Sequence, residues 1–129
     1  ARRVVDALVK RAVLRMQQNL EHPKTVEDLA RELGVGRRTL ERRFLADLGQ
    51  TPLKVYLDLR LERALQRLRG SEASITEVAL ACGFCDGPHL SRTLKAERGV
   101  TPAEYRKAQA GQGRAEDQPP VGVLMRGAE

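Results

Sequence analysis

One sequence pattern occurs twice in the chain, first in residues 25–56 and again in residues 74–106. The copies align at an offset of 49 as far as the glycine after the first short helix, which is Gly34 in one copy and Gly83 in the other. The second copy then contains one added residue, and the offset becomes 50 for the rest of the pattern. Two short helices and a glycine-bearing turn are too small for a domain, and they fit a helix-turn-helix unit that is used twice.

Apolar residues at helical spacing, with the residues that begin and end helices, predict an all-α fold of about seven helices. Thr25 stands three residues before Asp28 and Ser74 three before Glu77, which is a helix-start signature in both copies. Gly34 ends the first short helix because it accepts a left-handed backbone. We expect helices over about residues 3–21, 26–33, 37–48, 52–69, 75–82, 87–97 and 102–108.

These helices group into four segments along the chain. We predict a first helix-turn-helix lobe in residues 1–50, a linker helix in 51–70, a second lobe in 71–109 and a disordered tail in 110–129. The tail has no apolar period and contains prolines and glycines, which is typical of disorder. Alternatively, its apolar residues Val121–Met125 dock on another surface. The apolar stripe of the linker helix is predicted to be Leu53, Leu57, Leu61, Ala64, Leu65 and Leu68.

The balance of charge limits the kind of partner. The chain has 23 Lys and Arg against 17 Asp and Glu, which gives a formal charge of +6. A basic protein favours a polyanionic partner because phosphate binding releases counterions. No apolar run approaches the roughly 20 residues that span a membrane, and the first residues lack the pattern of a secretory signal. We therefore expect a cytoplasmic protein with no membrane partner.

Cys82 and Cys85 form a C-x-x-C pair, which is compatible with a redox pair or with half of a zinc site. A structural zinc site usually has four ligands, and the nearest candidate, His89, brings the set only to three. Cys82 also occupies the position of Leu33 in the first copy, where the side chain faces the core. We therefore expect structural, reduced thiols, no metal and no cofactor.

In a helix-turn-helix unit the second helix lies in the major groove, and its early residues meet base edges. In the first copy Leu40 and Phe44 must be buried, which turns the opposite side of this helix outward. The outward residues predicted to read bases are Arg37, Arg38, Glu41 and Arg42. Arginine can donate to both acceptors of guanine, and glutamate can accept from the cytosine amino group. Arg43 lies nearer the edge and is predicted to bind phosphate. The alternative is a solvated charged face, the usual explanation of a charge run.

The corresponding helix of the second copy is less basic. Burial of Leu90 and Leu94 leaves an outward face on which His89 and Arg92 are the strongest candidates for base reading. Lys95, one turn later, is predicted to bind phosphate. The full set of outward residues predicted to read bases is Gly87, Pro88, His89, Ser91 and Arg92. Glycine and proline offer little to hydrogen-bond, so this lobe is expected to read fewer bases or to rely on DNA shape.

The linker helix sets the distance over which the two lobes can act. About 18 residues at 1.5 Å per residue give a helix of roughly 27 Å. Successive major-groove segments on one face of a duplex lie about 34 Å apart. We therefore expect one chain to place two reading helices in successive segments of the same duplex.

Four segments carry a specific resemblance to a known family. They are Arg60-Leu61-Glu62-Arg63-Ala64 with Leu68, Ile75-x-x-Val78-Ala79-x-x-Cys82-Gly83-Phe84, Leu90-Ser91-Arg92-x-Leu94-Lys95, and Gly99-x-Thr101-Pro102-x-x-Tyr105-Arg106. On these motifs the chain resembles the DNA-binding domain of the AraC/XylS-type transcription regulators over about residues 9–107. In two places it departs from the family. Leu90 and Leu94 stand where phenylalanine is usual, and Gly87-Pro88 replaces polar residues often used for contact.

The resemblance implies binding to double-stranded promoter DNA and, usually, activation of transcription by contact with RNA polymerase. It also implies base-reading positions at Arg38, Arg42, Gly87, Pro88, His89, Ser91 and Arg92. Bacterial members of the family mostly carry a separate sensing or dimerisation domain, generally N-terminal. Because the chain begins at Ala1 rather than Met, we expect it to be the C-terminal piece of such a protein.

Two other classes of function are alternatives to DNA binding. A helical protein-interaction module could use the same basic faces to bind an acidic protein, without any readout of bases. An enzyme would need a catalytic constellation, and the sequence contains no Ser/His/Asp set, phosphate-cradling glycine loop or paired-carboxylate site. We therefore expect a sequence-specific DNA-binding transcription regulator that is not an enzyme.

Overall fold

The structure, a computed structural model, describes residues 6–112 of the 129-residue chain. Within these residues the chain forms helices and no strands, which confirms the predicted all-α fold. The described residues fall into two compact units, one ending at Leu59 and the other beginning at Arg60, and the fourth helix continues through this boundary. The helices are α1 (Ala7–Gln17), α2 (Val26–Glu32), α3 (Arg37–Leu48), α4 (Pro52–Gly70), α5 (Ile75–Ala81), α6 (Gly87–Arg98) and α7 (Pro102–Gln112).

The first unit packs α1, α2 and α3 against one another. Its core is closed by Tyr56 of α4, whose hydroxyl donates to the carbonyl oxygen of Asn19 at 2.6 Å. The Tyr56 hydroxyl oxygen in turn accepts a hydrogen bond from the backbone N–H of Lys24 at 3.0 Å. One tyrosine thus fixes the connection between α1 and α2, whose backbone groups no helix satisfies. The fully buried side chains of this unit include Val9, Met16, Leu29, Leu40, Phe44 and Val55.

In the second unit, α6 packs against both α5 and α7. Its core includes Leu61, Leu68, Val78, Ala79, Leu90 and Leu94. The guanidinium of Arg106 on α7 donates to the carbonyl oxygens of Leu68 at 3.0 Å, Ser71 at 3.3 Å and Ala73 at 2.7 Å. These carbonyls lie at and beyond the end of α4, where the helix leaves acceptors without partners. Arg106 therefore satisfies the end of α4 and fixes the connection to α5.

Both short helices begin as their sequences predict. The Thr25 hydroxyl accepts from the backbone N–H of Asp28 at 3.0 Å. At the equivalent place in the second unit, the Ser74 hydroxyl accepts from the N–H of Glu77, and the Glu77 carboxylate accepts from the N–H of Ser74. Only the second pair is reciprocal, because only Glu77 extends far enough to return the hydrogen bond.

Both helix-turn-helix turns depend on a glycine in the left-handed region. Gly34 has φ 75° and Gly83 has φ 85°, as the repeat predicts. In the first turn, the N–H of Val35 donates to the carbonyl of Ala30 at 3.0 Å. In the second turn, the N–H of Phe84 donates to the carbonyl of Ala79 at 2.9 Å. A side chain at the glycine would oppose this turn, which reverses the chain so that the next helix can begin.

The structure corrects several predicted helix details. The first helix is Ala7–Gln17, shorter than predicted, because Asp6 caps its start and accepts from the N–H of Leu8. The last helix continues to Gln112, past its predicted end near residue 108. Leu53, predicted to lie in the buried stripe of α4, is 66% exposed. The tail predicted over 110–129, with the docking segment Val121–Met125, falls almost entirely outside the described residues. No described helix is long and apolar enough to cross a membrane.

Replacing Gly34 with Ala should reduce the free energy of unfolding by about 1 kcal/mol, because an L-residue resists a left-handed backbone. Space is not the reason, since a Cβ at this position would meet no atom within 4 Å. The matched control is Gly70→Ala at the end of α4, where there is equal space and no positive φ. Urea denaturation should show no loss for Gly70→Ala. An equal loss for both variants would contradict this account of the turn.

Candidate nucleic-acid interface

The outward face of α3 presents two arginines that no described residue binds. Leu40, Phe44 and Leu48 are the buried side chains of this helix. Arg38 and Arg42 lie four residues apart on α3, away from these buried side chains, and both are exposed. Within residues 6–112, neither has a hydrogen bond or an ion pair. A guanidinium in this condition offers its full set of donors to a ligand.

Arg37 and Glu41, both predicted to read bases, bind each other. The Arg37 Nε lies 3.0 Å from a carboxylate oxygen of Glu41, and its Nη1 forms a second ion pair with Glu27 of α2. Glu41 and then Glu27 raise the pKa of the Arg37 guanidinium by accepting its hydrogen bonds. The pKa of Glu27 is lowered, first by a hydrogen bond from its own backbone and then by Arg37. Arg37 therefore connects α2 to α3 in the unbound chain.

Arg43, predicted to bind phosphate, also has a protein partner. Its guanidinium forms an ion pair with the carboxylate of Asp6, the residue that caps α1. The backbone N–H of Asp6 in turn donates to the carboxylate of Asp47, on α3, at 2.7 Å. The Arg43 side chain is still half exposed. A phosphate could approach it, in competition with Asp6.

The face of α6 differs from its predicted arrangement at one residue. Pro88 and Arg92 are exposed and Ser91 is partly exposed, as predicted for outward positions. Gly87, predicted to face outward, is buried, and a Cβ there would lie 3.6 Å from side-chain atoms of Ile75 and Thr76. The glycine allows α6 to begin close against α5, so its contribution to a partner surface is indirect.

His89 is held at the start of α6 by two contacts. Its Nδ1 accepts a hydrogen bond from the backbone N–H of Cys85 at 3.2 Å. Its ring meets the ring of Phe84 edge to face, with centroids 5.2 Å apart and an interplanar angle of 79°. The ring is partly exposed. His89 is therefore accessible but fixed in orientation.

Arg60 supports the same region, a role that the sequence pattern does not predict. Its Nε donates to the carbonyl of Cys82 at 2.9 Å and its Nη2 to the carbonyl of Gly83 at 2.7 Å. The guanidinium carbon lies 4.3 Å from the centroid of the Phe84 ring. Arg60 belongs to a motif of the family resemblance, but nothing in its spacing indicates that its partners are carbonyls of a turn 22 residues away.

Lys95, the phosphate-binding candidate of the second unit, is exposed on α6 and lies 3.4 Å from the carboxylate of Glu104. The pKa of Glu104 is lowered, first by a hydrogen bond from the backbone of Thr101 and then by the charge of Lys95. The pair is exposed on both sides. Exposed ion pairs of this kind contribute little to stability, so Lys95 can exchange Glu104 for another anion.

The two cysteines lie in different environments. Cys82 is fully buried at the position that the repeat predicts, and Cys85 is exposed. Burial raises the pKa of the Cys82 thiol. Within the described residues, no group of three or more His, Cys, Asp or Glu side chains is placed to hold a metal. Cys82 acts as a core side chain.

The sequence matches known regulators over most of its length. A family model described as a helix-turn-helix domain matches residues 29–108. The chain is 44% identical over 100 residues to the HTH-type transcriptional regulator ArgR of Pseudomonas aeruginosa. This match covers 78% of the chain and 30% of ArgR. The chain thus spans about a third of the length of this curated relative.

Two solved structures resemble the chain in fold and sequence. One is a transcriptional regulator of the AraC-type DNA-binding class from Chromobacterium violaceum, 45% identical, with a TM-score of 0.75. That likeness covers 80% of this chain and 92% of the other. The second is the DNA-binding domain of the global transcriptional factor AdpA in complex with a target DNA. It is 31% identical, with a TM-score of 0.77, and covers 83% of this chain and 96% of the other.

Replacing Cys82 with Ala should reduce the free energy of unfolding by about 1–2 kcal/mol, because packing around a buried side chain is lost. Cys85→Ala is the matched control and should change stability by less than about 0.5 kcal/mol, since its side chain is exposed. Urea denaturation measures both effects. Stoichiometric zinc in the purified protein, removed by either change, would contradict the structural role.

Proposed function

Because the chain belongs to the AraC-type helix-turn-helix family of transcription regulators, we propose that it binds double-stranded promoter DNA through α3 and α6. The observation that carries the proposal is the state of Arg38 and Arg42. They are exposed on the helix that the motif places in the major groove, and no described residue binds them. The complex of the AdpA domain with a target DNA supports DNA as the partner.

In the first unit, Arg38 and Arg42 are the proposed base-reading residues. Arginine donates two hydrogen bonds to the O6 and N7 acceptors of guanine, the commonest specific contact in the major groove. Arg37 and Glu41 are proposed to contribute less, because Arg37 is bound by two carboxylates and Glu41 by Arg37, whereas Arg38 and Arg42 have no partner among the described residues. Arg43 is proposed to bind phosphate after exchanging Asp6 for the DNA backbone. Such contacts position the helix without reading sequence.

In the second unit, His89 and Arg92 are the proposed base-reading residues, with Ser91 beside them. Pro88 is proposed to make van der Waals contact with the DNA, without a hydrogen bond. Gly87 is proposed to act indirectly, by allowing α6 to begin close against α5. Lys95 is proposed to bind phosphate. With fewer free donors than α3, this unit is expected to contribute less discrimination among bases and more readout of shape.

We propose that both units bind the same duplex, at major-groove segments about one helical turn apart. The units share α4, a single helix of 19 residues. Binding of the first unit then raises the effective concentration of the second at the DNA. A single chain would thereby achieve what a dimeric repressor achieves with two subunits.

The proposed role in regulation is activation of transcription through contact with RNA polymerase, in the cytoplasm. This follows from the family resemblance, as does a separate domain for sensing or dimerisation. The match to ArgR covers only 30% of that protein. The effector and the regulated genes belong to the whole protein. A reporter gene placed behind the selected duplex, in cells with and without the full-length protein, would test the activating role. Higher expression with the protein is expected, and lower expression would contradict activation.

Replacing Arg38 or Arg42 with Ala should weaken binding to a selected duplex by about 1–3 kcal/mol and relax base preference in one half-site. The reason is loss of a bidentate contact to a base. Fluorescence anisotropy on duplexes selected from a random pool, followed by single-base substitution, measures both effects.

The matched control is Arg11→Ala, which removes an equal charge from the exposed face of α1. It should change affinity little and leave base preference intact. Lys95→Ala should weaken all duplexes alike and reduce the slope of log affinity against log salt by about 0.9. Equal effects of Arg38→Ala and Arg11→Ala on every duplex would favour a basic module without base readout.

Inserting five base pairs between the half-sites should reduce affinity to about that of the first unit alone. The insertion rotates one half-site to the opposite face of the duplex, since a helical turn is about 10 base pairs. Ten inserted base pairs, which restore the face but not the distance, provide the control for length. Footprinting should show the second half-site unprotected after the five-pair insertion. An unchanged footprint would contradict binding by both units.

A further inference from the structure

We infer that His89 is a specificity-determining residue that offers DNA a single hydrogen-bond donor, its Nε2–H, and so selects a base edge that carries an acceptor. The inference rests on the proposed function, since it names the kind of base atom that the start of α6 selects. Two observations support it: the hydrogen bond that His89 Nδ1 accepts from Cys85, and the packing of the imidazole against Phe84.

The hydrogen bond at Nδ1 determines which nitrogen carries the proton. The donor is the backbone N–H of Cys85, 3.2 Å away. A backbone N–H can only donate, so Nδ1 must be the unprotonated acceptor. In the neutral ring the proton then resides on Nε2. Within the described residues Nε2 has no hydrogen-bond partner.

The imidazole of His89 is also held by its contact with Phe84. Phe84 is 3% exposed and meets the imidazole edge to face. Arg60 lies over the Phe84 ring and anchors the turn through the carbonyls of Cys82 and Gly83. A side chain fixed in this way loses little conformational freedom when it meets a ligand, which favours selective contact.

The first unit has no such arrangement, and the difference lies in the one residue by which the two copies differ in length. The turn of the second copy contains an added residue, Cys85, between Phe84 and the residue that caps α6. In the first copy Val35 is followed directly by Gly36, which caps α3. Thr39 stands where the second copy has His89. The insertion therefore supplies the N–H that orients the imidazole.

The chemistry of the groove turns this orientation into a preference. Purine N7, guanine O6 and thymine O4 are acceptors, whereas the amino groups of cytosine and adenine are donors. With Nδ1 already bound, the ring cannot rotate its acceptor toward an amino group without losing the hydrogen bond from Cys85. A cytosine edge at this position would leave two donors facing each other, which costs affinity.

The first experiment is nitrogen-15 NMR of the free 129-residue chain at alkaline pH. His89 should appear as the Nε2–H tautomer, and the Cys85 amide should be protected from exchange. The chain contains one other histidine, His22, whose side chain is 89% exposed. His22→Gln assigns the signals and should leave DNA binding unchanged. A dominant Nδ1–H tautomer at His89 would overturn the inference.

The second experiment removes acceptors from the DNA one at a time. In the selected duplex, 7-deazapurines remove N7, 2-aminopurine removes O6, and a pyrimidinone removes the O4 of thymine. One substitution in the second half-site should weaken wild-type binding about three- to tenfold and His89→Ala binding not at all. Methylphosphonate linkages, which neutralise single phosphates, test the alternative contact. If only these linkages weaken wild-type binding more than His89→Ala binding, His89 binds phosphate and has no role in specificity.

A pair of variants at Cys85 tests the source of the orientation. Cys85→Ala keeps the backbone N–H and should preserve the coupling between His89 and the base acceptor. Cys85→Pro removes the N–H and should abolish that coupling while Arg38-dependent preference in the other half-site remains. Circular dichroism verifies folding, and if Cys85→Pro does not fold, the His89→Ala coupling decides. Sequence-selective binding without that coupling would refute this inference alone, and absence of selective duplex binding would refute the proposed function.

Discussion

The helices α3 and α6 are each held on their unit by a few buried apolar side chains, and the outward placement of their polar residues follows from that burial. In α3 these are Leu40, Phe44 and Leu48, and in α6 they include Leu90 and Leu94. Helical spacing then places the polar residues between them on the outside. Aromatic residues make up only 3% of the chain, and the two cores consist mainly of aliphatic side chains. The buried side chains therefore determine which residues of α3 and α6 face outward.

Features that depend on local chemistry could be predicted from the sequence. The bounds of α3, the capping residues Thr25 and Ser74, and the left-handed Gly34 and Gly83 all follow from short-range signals. The buried positions of α4 could not be predicted by extending one apolar stripe along the helix. Val55 and Tyr56 are buried in the first unit, whereas Leu53 is exposed. The helix serves two cores, so a single hydrophobic period does not describe it.

Contacts between residues distant in the chain could not be predicted from the sequence, because a charge pattern does not indicate which partner a side chain binds. In the first unit, Arg37 and Arg43 bind carboxylates of other helices. In the second unit, Arg60 and Arg106 donate instead to backbone carbonyls at helix ends. The repeat in sequence thus conceals two different uses of arginine. In the first unit these arginines join helices through carboxylates, and in the second they hold the backbone of a turn and of a helix end.

Asp6 links the start of α1 to α3. This residue caps α1, pairs with Arg43, and donates through its backbone N–H to Asp47, so both of its contacts beyond α1 are on α3. A displacement of the chain at residue 6 would therefore disturb contacts with two residues of α3, Arg43 and Asp47. Conversely, an anion that captures Arg43 releases one of the two ties.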